Sequence, residues 1–210
     1  MTGPAAVLMA IAVVSAVIDW IAVRHEHRPV EYVFKPLTMA ILIAVALTLD
    51  PADPTVRAWF VVALVLSLVG DVFLMLPGDR FVPGLAAFLV AHLAYVVGLV
   101  VAGLEPLGVL VGLLLVGAAF GLVGTRIIER IRRTDRALAA PVTAYMVAIS
   151  AMVVGAFGTG DGLAIVGALS FYASDSLIGW GRFVKSYDWG RLAVMVTYHV
   201  GQALLVLSLI

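Results

Sequence analysis

Long apolar stretches separated by short polar breaks follow one another from end to end of the chain. Eight stretches of about 17–22 residues are each long enough to cross a hydrocarbon core of roughly 30 Å. They cover approximately residues 5–23, 33–49, 57–76, 83–104, 107–124, 138–157, 163–180 and 192–210. Proline, glycine and aspartate mark the breaks, as at 50–54 and 158–162. The pattern predicts an all-α, polytopic membrane protein with eight transmembrane helices.

Composition agrees with this class and narrows the partners. The 210 residues are 63% hydrophobic and only 12% charged, too few charges to coat a soluble domain. The stretches leave no room for a second domain, so we expect one transmembrane domain over residues 1–210, with the lipid bilayer as its surroundings. Zero net charge argues against a nucleic acid partner. The absence of cysteine excludes disulfides and thiolate metal sites.

Basic residues are confined to alternate breaks. Twelve of the 13 Lys and Arg fall on one side of the predicted membrane: Arg24, Arg28, Lys35, Arg80, Arg126, Arg130, Arg132, Arg133, Arg136, Arg182, Lys185 and Arg191. Arg57 is the exception. Because cytoplasmic loops hold the excess of Lys and Arg, this split predicts that both chain termini lie outside. It also supports an even number of helices.

Two aspartates lie inside apolar stretches. Asp71 follows Ser67-Leu-Val-Gly, and Asp175 follows Ser170-Phe-Tyr-Ala-Ser. A carboxylate in hydrocarbon costs roughly 2.5–3.5 kcal/mol on insertion scales, so an intramembrane acid is a candidate functional residue whose partner must be found. We expect the two aspartates to be near each other.

Depth along the helices groups these acids with other polar side chains. At about 1.5 Å per residue, Asp71 and Asp175 lie roughly 7–8 Å from the cytoplasmic end of their helices. Other polar side chains lie at neighbouring levels: Asp19, Lys35, Ser67, His92, Tyr95, Tyr145, Ser174, His199 and Gln202. The outer half of the helices is almost purely apolar. This asymmetry predicts a polar cavity that opens toward the cytoplasm.

The order of the polar groups suggests an internal duplication, with possible repeats 1–104 and 105–210. Pro36-Leu-Thr opens the second apolar stretch and Pro141-Val-Thr opens the sixth. An aspartate follows after 35 positions in one half and 34 in the other, and a histidine after 56 and 58. Repeats of four helices would be parallel, related by an axis along the membrane normal. Chance similarity of short words remains the alternative.

Taken together, these segments resemble the YhhN family of lysoplasmalogenases over nearly the whole chain. No single motif is specific, but their order and spacing within eight apolar segments are. The motifs are Lys35-Pro36, Ser67-x-x-Gly-Asp71-x-x-Leu74, Phe88-x-x-x-His92-x-x-Tyr95, Pro141-x-x-x-Tyr145, Ser174-Asp175 and Tyr198-x-x-x-Gln202-x-Leu204. The resemblance implies hydrolysis of the vinyl ether of a lysophospholipid substrate to a fatty aldehyde and a glycerophospho-alcohol. It also implies Asp71 and Asp175 as the catalytic pair.

Vinyl ether chemistry suits such a pair. Hydrolysis begins with protonation of carbon, and water then captures the resulting oxocarbenium ion, so an acid and an anion are needed. Glycosidases meet a similar oxocarbenium ion with two carboxylates. Supporting or orienting roles fall to His92, Tyr95, Tyr145, His199 and Gln202, and Lys35 is the candidate for the substrate phosphate. No cofactor is expected, and no metal, because the His25-Glu-His27 triplet lacks further ligands.

Other interpretations of the same residues stay open. The acids and histidines can instead be polar contacts between helices, and Lys35 can simply reach the membrane interface. A proton-coupled transporter of a small solute is the main rival function, although the apolar outer half offers no polar path across. An intramembrane aspartyl hydrolase is the third possibility, because it also needs two aspartates. Oligomeric state, headgroup preference and the division of labour between the acids are left undetermined by the sequence.

Overall fold

The computed structural model describes residues 3–210, and these residues contain eight helices long and apolar enough to cross a membrane. They are α1 (Gly3–Arg24), α2 (Arg28–Thr48), α3 (Pro54–Met75), α4 (Phe81–Ala102), α5 (Pro106–Thr134), α6 (Ala139–Thr159), α7 (Gly162–Phe183) and α8 (Gly190–Leu207). Within this range the chain forms no strand. The predicted fold class and helix number are confirmed.

Helix α5 is longer than the apolar pattern predicted. The sequence argument ended it at residue 124, whereas the helix continues through a π-helical turn, Phe120–Gly124, to Thr134. The extension contains no proline or other breaker, and its Ile127 and Ile131 are buried. A polar amphipathic helix therefore follows the apolar one without a loop, because helix formation requires periodicity and propensity rather than continuous hydrophobicity.

Local signals explain where several helices begin. Asp53 accepts hydrogen bonds from the backbone N–H groups of Thr55 and Val56 ahead of Pro54, which caps α3. Hydrogen bonding by these groups, that of Thr55 foremost, lowers the pKa of Asp53. Asp161 caps α7 in the same way through the backbone N–H of Ala164. Each acid lies at the break that the sequence had marked.

Helix neighbours follow a repeating order. α1 packs on α2, α3 on α4, α5 on α6 and α7 on α8, while α4 contacts α6 and α2 contacts α8. Most lipid-facing is α5, whose segment Pro106–Ala119 buries only Gly112. The turns α1–α2, α3–α4, α5–α6 and α7–α8 share one end of the bundle, which we call the basic end because it carries the clustered arginines. The candidate site lies toward this end.

Candidate active site

Asp71 is a buried acid held by two other helices. Its carboxyl lies near the basic end of α3, and its side chain is only 2% exposed. The Lys35 ammonium on α2 approaches Oδ1 at 3.2 Å, and the Tyr198 hydroxyl on α8 donates to Oδ2 at 2.6 Å. A buried carboxylate of this kind needs both a counter-ion and a hydrogen bond, since either alone leaves charge or lone pairs unsatisfied. Asp71 has both.

Asp175 on α7 has a different environment. The Tyr145 hydroxyl on α6 donates to Oδ2 at 2.5 Å. The His92 Nε2 on α4 lies 3.6 Å from the same oxygen, which is too long for a hydrogen bond. The side chain is 9% exposed. Asp175 is thus bound by a neutral hydroxyl, unlike Asp71 with its ammonium.

Phe171 on α7 separates the partners of the two acids. Its ring lies 5.2 Å from that of Tyr198 and 4.8 Å from that of His92, and His92 lies 5.2 Å from Tyr145, centroid to centroid. No hydrogen bond joins the acids themselves within residues 3–210. They do interact electrostatically. A row of aromatic rings therefore links the two acids, and their action as a catalytic pair stays a prediction.

An apolar cavity of about 60 Å³ reaches Asp175. The Tyr145 hydroxyl is the polar group beside the acid. The surrounding wall comes from five helices: Leu74 of α3, Phe81 and Phe88 of α4, Ile127 of α5, Ile149 of α6, and Gly179 and Phe183 of α7. A cavity of this volume has room for several heavy atoms, which is more than a single water molecule needs. The end of an aliphatic chain fits such a cavity by its chemistry.

A larger polar cavity of about 410 Å³ opens beside it. Its charged and hydrogen-bonding walls are Arg28, Glu31, Lys35, Arg182, Tyr187 and Arg191. Glu31 accepts two hydrogen bonds from Arg191, at 2.8 and 3.0 Å. Leu74, Phe81 and Ile178 line both cavities and so form their common wall. The two cavities together present a charged compartment next to an apolar one.

This division differs from the single polar cavity expected from the sequence. Asp175 lines the apolar cavity, whereas Asp71 lies behind Lys35, which lines the polar one. Helix depth was the basis of the expectation, but depth does not specify the direction in which each side chain points. Rotation of α2 places the Lys35 ammonium against Asp71, so Lys35 neutralises an acid as well as facing the polar cavity.

Three predicted site residues bond to groups other than the two acids. The Tyr95 hydroxyl donates to Gln202 Oε1 at 2.6 Å, and both side chains are fully buried. His199 accepts a hydrogen bond at Nδ1 from the Trp20 indole at 3.1 Å, where α8 meets α1. These contacts hold helices together, and none of the three hydrogen-bonds to an acid.

Two further residues belong to the site, although the sequence analysis assigned neither of them a role. Tyr198, which bonds Asp71, had been noted only as part of a motif, although it lies one helical turn before Gln202 on the same face of α8. Asp19 on α1 is fully buried, and neither carboxyl oxygen accepts a hydrogen bond. It interacts electrostatically with Lys35 and Asp71. The depth argument groups Asp19 with the other polar side chains, but it could not show that Asp19 lies beside Lys35 and Asp71.

The turn that borders the polar cavity is fixed by an ion pair. Arg182 donates to both carboxyl oxygens of Asp79, at 2.9 and 3.2 Å, and its guanidinium lies 4.0 Å from the ring centre of Phe81. Hydrogen bonding from Arg182 and its charge lower the pKa of Asp79. Over residues 3–210, no group of three His, Cys, Asp or Glu side chains is arranged to hold a metal ion.

Known proteins are similar to this chain over most of its length. The YhhN family model matches residues 30–209. Human lysoplasmalogenase TMEM86B is 36% identical over 146 residues, which cover 70% of this chain and 61% of the human protein. The lysoplasmalogenase of Mycobacterium bovis is 32% identical over 191 residues, covering 85% of this chain and 70% of that protein. No solved structure matches. By the extent of these matches, the chain belongs to the YhhN family.

Proposed function

We propose that this protein is a lysoplasmalogenase, which hydrolyses the vinyl ether of a lysoplasmalogen to a fatty aldehyde and a glycerophospho-alcohol. The observation that carries the proposal is the meeting of an apolar cavity containing Asp175 with a charged cavity containing the Lys35 partner of Asp71. The names of the relatives support it, although the chain spans only 61% of the human protein. A lysoplasmalogen has an apolar chain, a reactive vinyl ether and a charged headgroup in that order.

The substrate is proposed to lie across the wall between the cavities. Its headgroup phosphate binds Arg28 and Arg191 in the polar cavity, because guanidinium groups match phosphate oxygens in geometry and charge. Glu31, on the same wall, is placed to accept the ammonium of an ethanolamine or choline headgroup. The reacting end of the alkenyl chain then occupies the apolar cavity beside Asp175. Lys35 forms the ion pair with Asp71, and its charge at the wall of the polar cavity also attracts the phosphate.

Different surroundings assign different roles to the acids. An ammonium 3.2 Å away favours the ionised form of Asp71, so it acts as the carboxylate. Asp175 lines an apolar cavity and has no ammonium or guanidinium partner, and removal from water favours its protonated form. Asp175 is accordingly the general acid and Asp71 the base. Tyr145 and Tyr198 orient the two carboxyl groups.

The proposed reaction has two stages, after which both acids have returned to their starting protonation states. In the first, Asp175 gives its proton to the second carbon of the alkenyl chain, and the ether oxygen stabilises the resulting cation. Water then bonds to the first carbon as Asp71 takes its proton, which forms a hemiacetal. In the second stage Asp71 returns that proton to the glycerol oxygen while the carbon–oxygen bond breaks. Asp175 takes the hydroxyl proton of the hemiacetal as the aldehyde forms.

Orientation is part of the proposal. The excess of arginine at the basic end favours a cytoplasmic location for that end, with both termini outside. The polar cavity then opens toward the cytoplasmic leaflet. The substrate is drawn from that leaflet, with its headgroup at the interface and its chain among the helices.

Purified protein in nanodiscs tests the proposal with three matched lipids that differ only in the linkage between the chain and the glycerol, at the first two chain carbons. Lysoplasmenyl-ethanolamine carries the vinyl ether, the second lipid carries a saturated alkyl ether, and the third an acyl ester. We expect aldehyde from the first lipid and no product from the other two, since only the vinyl ether has a carbon that can accept the proton. Absence of aldehyde from well-folded protein, or equal hydrolysis of the ester, would overturn the assignment.

A further inference from the structure

The end of α5 is too long to lie within the membrane core. The helix has 29 residues, which at about 1.5 Å per residue gives roughly 43 Å against a hydrocarbon thickness of about 30 Å. If Pro106 marks one boundary of the core, about 20 residues span it and the remainder begins near Arg126. The segment Thr125–Thr134 therefore lies at the level of the lipid headgroups.

One face of this segment packs against the helix bundle, and the other face is charged and exposed. Ile127 and Ile131 are buried, and Ile127 lines the apolar cavity that contains Asp175. Its Cδ1 lies only 3.3 Å from where a Cβ on Gly179 would be, so the contact with α7 is close. On the other face, a separate cavity of about 220 Å³ is lined by Arg126, Glu129, Arg130, Arg133 and Val184.

The arginines of this second cavity lack protein counter-ions. Elsewhere Arg28, Arg182 and Arg191 each pair with a carboxylate within 3.5 Å. Within residues 3–210, Arg126, Arg130 and Arg133 form no salt bridge, even though Glu129 lies on the same helix. Three exposed guanidinium groups around one concave surface match the geometry and charge of a phosphate group.

We propose that Arg126, Arg130 and Arg133 form a binding site for the phosphate of an anionic phospholipid of the surrounding bilayer. Depth selects this ligand, because lipid phosphates lie at the level of these side chains. Charge selects an anionic lipid over a zwitterionic one, because juxtamembrane basic clusters gain affinity from net negative headgroups.

Binding at this site has a consequence for the reaction, which rests on the proposed function. The lipid holds the end of α5 on α7, and Ile127 on its inner face fixes one wall of the apolar cavity. The π-helical turn Phe120–Gly124 directly before the segment is the natural hinge, since such turns interrupt the regular hydrogen bonding of an α-helix. Anionic lipid is therefore expected to raise activity above that in neutral bilayers.

Lipid selectivity of the intact protein tests the site without reference to activity. Spin-labelled phosphatidylglycerol and phosphatidylcholine are compared for immobilisation by wild type, by R126Q/R130Q/R133Q, and by the control R80Q/R132Q/R136Q, which loses the same charge outside the cavity. We expect wild type and control to prefer phosphatidylglycerol, and the first variant to lose about fivefold or more of that preference. Retained preference in that variant, or equal loss in the control, would overturn the site.

Two further arms separate the remaining outcomes. Displacement of the labelled lipid by soluble glycerol phosphate at equal concentration would show that a free phosphate, rather than a bilayer lipid, is the ligand, and would overturn the proposal. In the activity arm, phosphatidylglycerol should stimulate aldehyde release by wild type but not by R126Q/R130Q/R133Q, whose rate in pure phosphatidylcholine stays unchanged. Equal stimulation of both proteins would overturn the coupling alone. If no protein releases aldehyde, the proposed function fails while the binding result stands.

Discussion

At the scale of single residues, each acid depends on a tyrosine from another helix. Tyr145→Phe removes the hydrogen bond to Asp175, and Tyr198→Phe removes the one to Asp71. A hydrogen bond contributes about 1.5–3 kcal/mol to a charged group and about 0.5–1.5 kcal/mol to a neutral one. Tyr198→Phe, beside the ionised Asp71, should therefore lower kcat roughly 10- to 100-fold, and Tyr145→Phe, beside the protonated Asp175, roughly 3- to 10-fold. Steady-state aldehyde release measures this, with the exposed Tyr32→Phe as control. A rate within twofold of wild type would remove that tyrosine from the mechanism.

Lys35 is predicted to balance two buried acids rather than one. Lys35→Met leaves Asp71 and Asp19 without an ammonium, and breaking a buried pair in this way costs about 3–5 kcal/mol. Adding Asp19→Asn should recover part of the loss, because one uncompensated carboxyl is removed. Thermal unfolding in detergent of the two single variants and the double variant gives the coupling. Strictly additive effects would show that Asp19 and Lys35 act independently.

The sequence could identify the acids but not their partners. Asp71 and Asp175 stand out because a charge inside an apolar helix has a cost that demands a reason. Their partners depend on the rotation of helices far apart in the chain, as with Tyr198, which is 127 positions from Asp71. For the same reason the sequence could not show that His199, expected to support the acids, instead accepts a hydrogen bond from Trp20. Their catalytic roles stay a prediction.

At the scale of elements, the crossing of α7 and α8 depends on two glycines. A Cβ on Gly201 would lie 2.9 Å from the carbonyl oxygen of Gly167 and from the backbone nitrogen of Phe171. Since these are backbone atoms, the helices must separate, and Gly201→Ala should lower the free energy of unfolding by about 1–3 kcal/mol. Gly117→Ala, with open space around it, is the matched control. Equal melting temperatures for the two variants would contradict this packing.

Helix positions were predictable because apolar length and breakers are local properties. The caps Asp53 and Asp161 lie where the polar breaks had been marked. The end of α5 was not predictable from hydrophobicity, since Thr125–Thr134 is polar overall and is recognised only by the spacing of Ile127 and Ile131. An amphipathic extension of this kind looks like a basic loop when only apolar stretches are counted.

At the scale of the whole molecule, the orientation can be tested directly because the chain has no cysteine. Single cysteines at Thr55 and Thr159 should react with a membrane-impermeant maleimide from outside intact cells. Cysteines at Thr134 and Ser186 should react only after permeabilisation, because those positions are at the basic end. The reverse pattern would invert the orientation and place the polar cavity at the other leaflet.

The internal duplication stays a prediction, and the site adds a specific argument for it. Asp71 on α3 is bonded from α2 and α8, whereas Asp175 on α7 contacts α6 and α4. Exchange of the two halves of the chain converts one set of helices into the other. The side chains themselves differ, with Lys35 in one half and Tyr145 in the other. This difference between the two halves fits the proposed roles, because an ionised base needs a cationic partner and a neutral acid does not.

Isotope labelling with the two acid variants tests the central claim most directly, that Asp175 protonates carbon while Asp71 activates water. Lysoplasmenyl-ethanolamine is hydrolysed in D2O by wild type, Asp71→Asn, Asp175→Asn and the exposed control Asp188→Asn. We predict that wild type and control release aldehyde with one deuterium on its second carbon, and that both intramembrane variants remain folded but release none. Near-normal aldehyde release by either intramembrane variant, or aldehyde without deuterium, would contradict the mechanism.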